Sequence, residues 1–311
     1  MVSFVRKDYQ ILTERYRMRR WFYRGKMHAL PDRLAIYLGT TMSDFTFSWF
    51  GYLQAFWATR YAKQLGKKAV VVLGGFDVCE EEDPSFDGRL PSIRYILRNA
   101  DSLLAVSERV RTKAIGIEPR ANVSLLYHGF DSKRFYPGPK EPIVTTVGFV
   151  RQPNLRRKGL EVFVRSAARL PQFRFCLAGK WLDGSIDFLR SIAPPNLEFL
   201  GQLSESALIE LLQRSAIYVQ ASLHESFGCS LAEAMLCGCV PVVTHGGAIP
   251  EVVGETGIYV NPLDLEDVVR GILEASVAPG KGGIARQRIS SLFPLEQRQR
   301  QLIQAIEDVL A

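Results

Sequence analysis

Short apolar runs alternate with segments of helical periodicity along the second half of the chain. Runs of strand length, rich in Val, Ile and Phe, occur at 143–149, 173–178, 197–200, 216–221 and 240–244. Helical patterns lie between them at 159–170, 186–192, 205–215 and 231–236. A further helix is expected to begin after Asp264 as its N-cap. Strands and helices that alternate at this spacing predict crossover connections and a parallel sheet.

The first half shows the same character with less regularity. Buried strands are predicted at 34–38, 69–73, 103–106 and 123–126, and helices at 5–16, 47–65 and 92–98. The stretch FYPGPKEP at 135–142 predicts a linker, because proline and glycine interrupt regular structure.

The fold class is therefore α/β, with two doubly wound, Rossmann-like domains. We predict an N-terminal domain at 1–140, a second domain at 141–294, and a C-terminal helix at 295–311 for which a return to the first domain is one expected placement. Open parallel sheets bind ligands beyond the carboxyl ends of their strands. We expect the site in a cleft between the two domains.

Charge is distributed unevenly. The net charge is +7, made up of +9 in residues 1–140 and −2 in residues 141–311. The segment RYRMRRWFYRGK at 15–26 holds six basic residues, four aromatic residues and no acid. A solvated helix end is one interpretation, and contact with an anionic membrane surface is the other. No nucleic-acid-binding motif accompanies it, so nucleic acid is not an expected partner.

The stretch HESFGCSLAEAMLCGCVPVV at 224–243 carries the most chemistry. Glu225 follows a predicted strand, and a helix is expected to begin near Ser230. Free backbone N–H groups at a helix N-terminus bind phosphate, and carboxylates bind hydroxyls, so a sugar nucleotide fits both features. Glu233 has two open interpretations: it contacts this ligand, or it closes a capping box with Ser230.

This stretch closely resembles the donor-binding motif of the family-4 retaining glycosyltransferases, which have the GT-B fold of two Rossmann-like domains facing across a cleft. The resemblance continues through Gly246-Gly247-Ala-Ile-Pro-Glu251, Gly257-Ile-Tyr-Val-Asn-Pro262 and Arg157-Lys158-Gly159. It also includes Leu126-Tyr-His-Gly129 at the predicted domain junction, and it covers residues 100–311 better than the first hundred.

The resemblance implies a role for each matching residue. Glu225 would contact hydroxyls of the transferred sugar, Glu233 the ribose, and Leu203 the region of the base. Arg157 and Lys158 would neutralise the leaving diphosphate, and their place before a predicted helix, where they oppose its dipole, also favours an anion. Backbone groups would hold the sugar and diphosphate at Phe227, Gly228, Cys229 and Ser230.

The first domain departs from the family pattern. The chain starts almost at its first helix, so the glycine-rich loop that relatives place near the donor phosphates is expected to be shortened or absent. Asp77 is retained from a histidine–aspartate pair, while Gly75 stands where the histidine would be. Asp77 and His128 are the acceptor-side candidates. His128, His224 and His245 are expected to make local hydrogen bonds rather than to bind metal.

The predicted function is retaining transfer of a hexose-type sugar from a UDP- or GDP-sugar to a glycan or lipid-linked acceptor. The alternatives are a non-catalytic nucleotide-sugar-binding scaffold and a sugar-nucleotide epimerase of the same fold. No cofactor or metal is expected: Cys237 and Cys239 are interpreted as buried thiols beside a turn, and the acidic run at 80–83 as a solvated loop. The expected location is the cytoplasm, with peripheral contact at its membrane face.

Overall fold

The computed structural model describes residues 3–22, 29–79 and 86–311. It divides into two compact units. Unit 1 comprises Met1–Gly129 and Leu295–Ala311, and unit 2 comprises Phe130–Pro294. The acidic run at 80–83 and the end of the basic segment at 23–26 lie outside the described residues.

Unit 1 is built on a parallel sheet of four strands in the order β1-β2-β3-β4. These are β1 (Phe45–Trp49), β2 (Lys68–Leu73), β3 (Ser102–Ala105) and β4 (Val123–Leu125). Its helices are α1 (Ser3–Thr13), α2 (Ala29–Thr41), α3 (Leu53–Gln64), α4 (Phe86–Asn99) and α5 (Glu108–Ile117), joined by the last helix of the chain, α14 (Leu295–Leu310).

Two predicted elements of unit 1 are wrong. The run 34–38, predicted as a strand, lies inside α2, and the predicted helix 47–65 divides into the end of β1 and the helix α3. A five-residue apolar run suits either state, and here a helix surrounds it. Residues 45–49 instead alternate aromatic and hydroxyl side chains, a pattern with the period of a strand.

Unit 2 is a six-stranded parallel sheet in the order β10-β9-β8-β5-β6-β7. Its strands are β5 (Glu141–Val147), β6 (Arg174–Ala178), β7 (Leu197–Gly201), β8 (Ser215–Gln220), β9 (Val240–Val243) and β10 (Ile258–Tyr259). Its helices are α6 (Gln152–Arg157), α7 (Leu160–Arg169), α8 (Ser185–Ser191), α9 (Glu205–Arg214), α10 (Cys229–Leu236), α11 (Ile249–Val253), α12 (Leu265–Ser276) and α13 (Gly280–Leu292). Asp264 caps α12 by accepting from the Asp267 backbone N–H at 3.1 Å, as predicted.

Residues 130–140 belong to unit 2, so the division falls at 129/130 rather than at 140. The predicted linker is anchored there by specific contacts. Arg286 donates to the carbonyl oxygen of Phe135 at 2.8 Å, and Phe135 is buried. The ammonium group of Lys140 donates to the carbonyl oxygens of Ser215 at 2.8 Å and Cys237 at 2.7 Å.

Helix α14 packs in unit 1, where Leu302 and Ile306 join the core that contains Leu12. Arg298 of α14 is buried and binds both carboxylate oxygens of Asp8 in α1, each at 2.7 Å. The first and last helices are therefore joined by a bidentate ion pair. Over the described part of the chain, no helix combines the length and the hydropathy needed to cross a bilayer.

Candidate functional site

The order of strands in unit 2 reverses between β5 and β8, which are hydrogen-bonded neighbours at the centre of the sheet. Chains leave such a pair in opposite directions across the sheet, which opens a crevice beyond the carboxyl ends of the strands. The segment after β8 contains Glu225, as predicted. The segment after β5 leads through α6 to Arg157 and Lys158.

Lys158 is held beside the end of β8 by a close backbone approach. Gly159 has a φ of +64°, and a Cβ atom there would lie 2.3 Å from the carbonyl oxygen of Ala221. The Leu223 backbone N–H also donates to the Arg157 carbonyl at 2.8 Å. A glycine is required on both steric and conformational grounds, and it fixes the preceding lysine against the loop that carries Glu225.

Lys158 and Glu225 form an ion pair, with 2.7 Å between Nζ and Oε1. The same oxygen accepts from the Gln220 amide and the Ser222 hydroxyl, each at 2.9 Å. Burial raises the pKa of Glu225, but the charge and hydrogen bond of Lys158, the charge of Arg157 and the Ser222 hydrogen bond outweigh it, so the pKa lies below its ordinary value. Glu225 is thus an anion that faces two cations.

The loop containing Glu225 is fixed from its other side by the glycine pair of the Gly246–Gly247 motif. The Ala248 N–H donates to the Glu225 carbonyl at 2.8 Å. Gly247 has a φ of +66°, and a Cβ atom there would lie 2.2 Å from the same carbonyl oxygen. A motif about 20 residues downstream therefore positions the carboxylate by backbone contact.

The predicted setting of the two cations is wrong in one respect. Arg157 ends α6 and Lys158 is its C-cap, so they stand at a helix C-terminus, where cations are favourable, and not at the start of α7. Arg157 donates to Asn154 Oδ1 at 3.0 Å, and the Asn154 amide donates to the Phe149 carbonyl at 2.7 Å. Asn154 was not predicted as a site residue. The only signal for it in the sequence is its position three residues before Arg157, and the structure shows that it is buried.

Helix α10 begins at Cys229, which agrees with the predicted start near Ser230. Its N-cap is Gly228, with a φ of +96° and no side-chain cap. Ser230 is therefore inside the first turn, and the capping-box interpretation of Ser230 and Glu233 is wrong. The first N–H groups of α10 remain a suitable phosphate site, with Glu233 in the following turn and largely buried.

The Phe227 side chain does not face the predicted donor site, and a contact through its backbone stays a prediction. Its side chain is buried, with its ring centroid 5.8 Å from that of Phe130 and 5.3 Å from that of Phe293. Leu203 is half-buried two residues after the edge strand β7. Trp181 lies near the end of the same strand and pairs with Val150 in an isolated bridge, and it was not predicted as a site residue.

The two acceptor-side candidates lie in the interior of unit 1. Asp77 is fully buried and accepts from the backbone N–H groups of Gly51 at 2.7 Å, Gly75 at 2.7 Å and Gly74 at 3.2 Å. Burial raises its pKa, and these N–H groups lower it in part. The geometry therefore gives Asp77 a role in joining the loops after β1 and β2, and its acceptor-side role stays a prediction.

His128 is also buried, with its ring stacked 6.0 Å from that of Trp49. Burial first, and then the charges of Arg298 and Lys7, hold its pKa well below its ordinary value. The imidazole is therefore neutral in this setting. Its acceptor-side role likewise stays a prediction.

Cys237 and Cys239 are buried thiols on either side of Gly238, whose φ is +79°, as interpreted from the sequence. Burial raises the pKa of Cys237 to about 12 and that of Cys239 to about 11, so both are protonated. Within residues 3–22, 29–79 and 86–311, no group of three or more His, Cys, Asp or Glu side chains is arranged to hold a metal ion.

Comparison with known proteins agrees with this geometry. The profile described as Glycosyl transferases group 1 matches residues 141–276. A phosphatidylinositol N-acetylglucosaminyltransferase component from Arabidopsis thaliana is 28% identical over 204 residues, which are 60% of this chain and 44% of that protein. The serotype-specific mannosyltransferase WbdA of Escherichia coli is 38% identical over 179 residues, which are 58% of this chain and 19% of WbdA. The chain thus spans less than half the length of these curated relatives.

Solved structures share the fold over most of this chain. Sucrose-phosphate synthase from Thermosynechococcus elongatus aligns with a TM-score of 0.79 and 22% identity, over 93% of this chain and 80% of that one. Anabaena HepE in complex with UDP-glucose aligns with a TM-score of 0.81 and 17% identity, over 96% of this chain and 88% of that one. The chain therefore has the α/β architecture of GT-B glycosyltransferases, and its residues 141–276 match the family described as Glycosyl transferases group 1.

Proposed function

We propose that this protein is a retaining glycosyltransferase that moves a hexose-type sugar from a UDP- or GDP-sugar to an acceptor. The observation that carries the proposal is the Lys158–Glu225 pair at the strand reversal of unit 2, close in sequence to the N-terminus of α10. It combines a carboxylate for sugar hydroxyls, two cations for a diphosphate and, at the positive end of the α10 dipole, a setting that favours phosphate.

In this proposal the protein accelerates transfer by electrostatic stabilisation of the leaving group. The sugar C1 bonds to the oxygen of an acceptor hydroxyl, whose proton passes to the released diphosphate. As the bond between C1 and the diphosphate oxygen breaks, negative charge grows on that oxygen. Lys158 and Arg157 stabilise this charge, and preorganised charges of this kind contribute more to transition-state stability than to substrate binding. Glu225 orients the sugar by accepting hydrogen bonds from its hydroxyls, and Glu233 accepts from the ribose.

The ion pair prepares both groups for these roles. Because the charge and hydrogen bond of Lys158, the charge of Arg157 and the Ser222 hydrogen bond hold the pKa of Glu225 below its ordinary value, its carboxylate is ionised and can accept hydrogen bonds from the sugar. Since a diphosphate would compete for Lys158, we expect the ammonium group to divide its contacts between Glu225 and the donor. Retention of configuration is carried over from the family resemblance.

The known proteins support a sugar nucleotide in this role. One aligned structure is a complex of Anabaena HepE with UDP-glucose. The names of the aligned sequences indicate N-acetylglucosaminyl and mannosyl transfer, one of them to phosphatidylinositol. We propose a glycan or a lipid-linked glycan as the acceptor, and the cytoplasm as the place where donor and enzyme meet.

The proposal is tested by incubating the protein with UDP- and GDP-hexoses, with water and a mixture of glycans as acceptors, and following the sugar by proton NMR. We expect release of nucleoside diphosphate and a product with the donor's anomeric configuration. Glu225→Gln should lower turnover by about 10²–10³-fold, as for loss of one preorganised contact. Glu161→Gln, which changes an exposed carboxylate on α7, is the matched control.

Other products would overturn parts of the proposal. An inverted anomer would contradict retention. Nucleotide binding without turnover of any donor would favour a non-catalytic nucleotide-sugar-binding protein, and a free sugar nucleotide with changed stereochemistry would favour an epimerase.

A further inference from the structure

Helix α2 exposes a row of large apolar side chains. Leu30, Leu34 and Leu38 follow one another at intervals of four residues, which places them on one face of the helix, and Met42 follows its end. Each is between 50% and 74% exposed. Trp21 and Phe22, in the segment before α2, are exposed as well. These six residues are called the apolar face below.

Exposed arginines border the apolar face. Arg17, Arg19 and Arg20 lie in the segment after α1. Arg19 Nη1 is 3.0 Å from the sulfur of Met42, so the basic segment contacts the end of the apolar row. The guanidinium of Arg20 lies 5.8 Å from the ring centroid of Phe22. Apolar and cationic groups thus form one continuous surface.

A cavity of about 1020 Å³ opens at this surface. Four residues of the apolar face line the cavity: Trp21, Phe22, Leu38 and Met42. Strand β1 contributes Phe45, Phe47 and Trp49 to the lining. Among the described residues that line the cavity, the charged ones are Arg17, Arg19, Arg20 and one acid, Asp44. The lining is therefore mostly hydrocarbon and aromatic, with excess positive charge.

We propose that the apolar face docks on a lipid bilayer that contains anionic phospholipid. Leu30, Leu34 and Leu38 enter the boundary between head groups and acyl chains, and the three arginines pair with lipid phosphates. Leucine and aromatic residues on one side with basic residues beside them are the composition of helices that lie in the membrane interface. Arginine forms bidentate hydrogen bonds with phosphate.

The excess positive charge of the surface favours an anionic bilayer as its binding partner. Each basic residue near an anionic leaflet strengthens binding, and the attraction falls with salt. An apolar patch with excess positive charge fits a surface that offers hydrocarbon and phosphate together. The docking does not depend on sugar transfer, so it can hold or fail independently of the proposed activity.

The test is flotation of the full chain with vesicles of phosphatidylcholine, with and without about 30% phosphatidylserine, at low and high salt. We expect binding only with phosphatidylserine, weakened by salt. The variant Arg17→Ser/Arg19→Ser/Arg20→Ser should lower the partition coefficient on the order of 100-fold. Leu30→Ser/Leu34→Ser should lower binding at both salt concentrations, because it removes the salt-independent contribution.

Matched controls lie in other parts of the chain. Arg120→Ser/Lys133→Ser/Arg300→Ser removes three exposed cations, and Val277→Ser/Ile284→Ser removes two exposed apolar side chains. Both should bind vesicles like the parent protein. Because every substituted side chain is exposed or half-exposed, we expect each variant to fold. Far-ultraviolet circular dichroism and thermal unfolding check this.

Two results would overturn the proposal. One is the absence of salt-sensitive binding by the parent protein to vesicles with phosphatidylserine. The other is equal binding by the parent protein, the triple arginine variant and the double leucine variant. If, in either case, Leu30→Ser/Leu34→Ser abolishes a concentration-dependent dimer, the face is instead an interface between two copies of this chain.

Discussion

Lys158 Nζ and Glu225 Oε1 lie 2.7 Å apart although 67 residues separate them in the chain. Their side chains are 19% and 13% exposed, so the pair is largely shielded from water. Removing one partner of a largely buried ion pair destabilises the protein, because the remaining charge is poorly solvated by water. The pair therefore links the stability of unit 2 to the chemistry of its site.

The variant Lys158→Ala should reverse the pH dependence that Glu225 contributes to stability. In the parent protein the pKa of Glu225 is lowered from its ordinary 4.5, so its contribution is present above that pH and is lost as the pH falls through the folded pKa. Without Lys158, burial dominates and raises the pKa. The ionised carboxylate then destabilises the variant, which regains stability as the pH falls.

Urea unfolding of both proteins between pH 4 and pH 8 measures this difference. The destabilisation caused by Lys158→Ala should be largest near neutral pH and should shrink in acid. Arg165→Ala, which breaks the exposed Arg165–Glu161 pair, is the control and should show a small difference at every pH. A destabilisation by Lys158→Ala that grows in acid would contradict the assignment.

Gly159→Ala should cost more stability than Gly66→Ala. The two glycines have nearly the same φ, +64° and +65°, so both substitutions carry the left-handed penalty of about 1–2 kcal/mol. A Cβ atom at Gly66 meets nothing within 4 Å, whereas one at Gly159 meets the Ala221 carbonyl oxygen at 2.3 Å. We expect Gly159→Ala to lose a further ~1–3 kcal/mol of unfolding free energy, measured by urea unfolding. Equal losses would mean that the close approach adds nothing.

Ser230→Ala should leave stability nearly unchanged, because Gly228 and not Ser230 is the N-cap of α10. Loss of a true capping hydroxyl costs about 0.5–2 kcal/mol. Glu233→Gln should keep the thermal midpoint while weakening binding of UDP or GDP in calorimetric titration. A large loss of stability in Ser230→Ala would restore the capping-box interpretation, and unchanged nucleotide affinity in Glu233→Gln would remove Glu233 from the site.

Arg298→Met should destabilise unit 1 by about 3–5 kcal/mol, because it leaves the carboxylate of Asp8 buried without its cation. The double variant Asp8→Leu/Arg298→Met should recover much of that loss, since it buries no charge. Trp49, whose ring centroid lies 5.6 Å from the guanidinium carbon of Arg298, supplies a nearby fluorescence signal. Additive losses in the double variant would show that the two residues are not coupled.

The sequence predicted unit 2 well because its strands are apolar runs separated by segments of helical periodicity. Glu225 could be placed after a strand for the same reason. Its contact with Lys158 could not be predicted, because it depends on the approach of Gly159 to Ala221, two residues that only the sheet brings together. The capping box at Ser230 and Glu233 was suggested by residue types alone, whereas the left-handed Gly228 supplies the actual N-cap of α10.

Unit 1 was harder to predict from local pattern. Leu34 and Leu38 were assigned to a buried strand because a short apolar run normally marks the core, yet both are exposed on a helix. Clusters of large exposed apolar residues are typical of interaction surfaces, and a local pattern does not distinguish them from core residues. The role of Asp77 was equally hidden, because its partners are backbone N–H groups from two loops.

The most direct test of the donor site is a thermal-shift titration of the parent protein and Lys158→Ala with UDP, GDP and ADP. A nucleotide at a hundred times its Kd stabilises the protein that binds it by about 2.7 kcal/mol. We predict that UDP or GDP raises the midpoint of the parent protein in this way, and that the same concentration has little effect on Lys158→Ala. An equal rise in both proteins, or no rise with any nucleotide, would contradict a diphosphate site at Lys158 and Glu225.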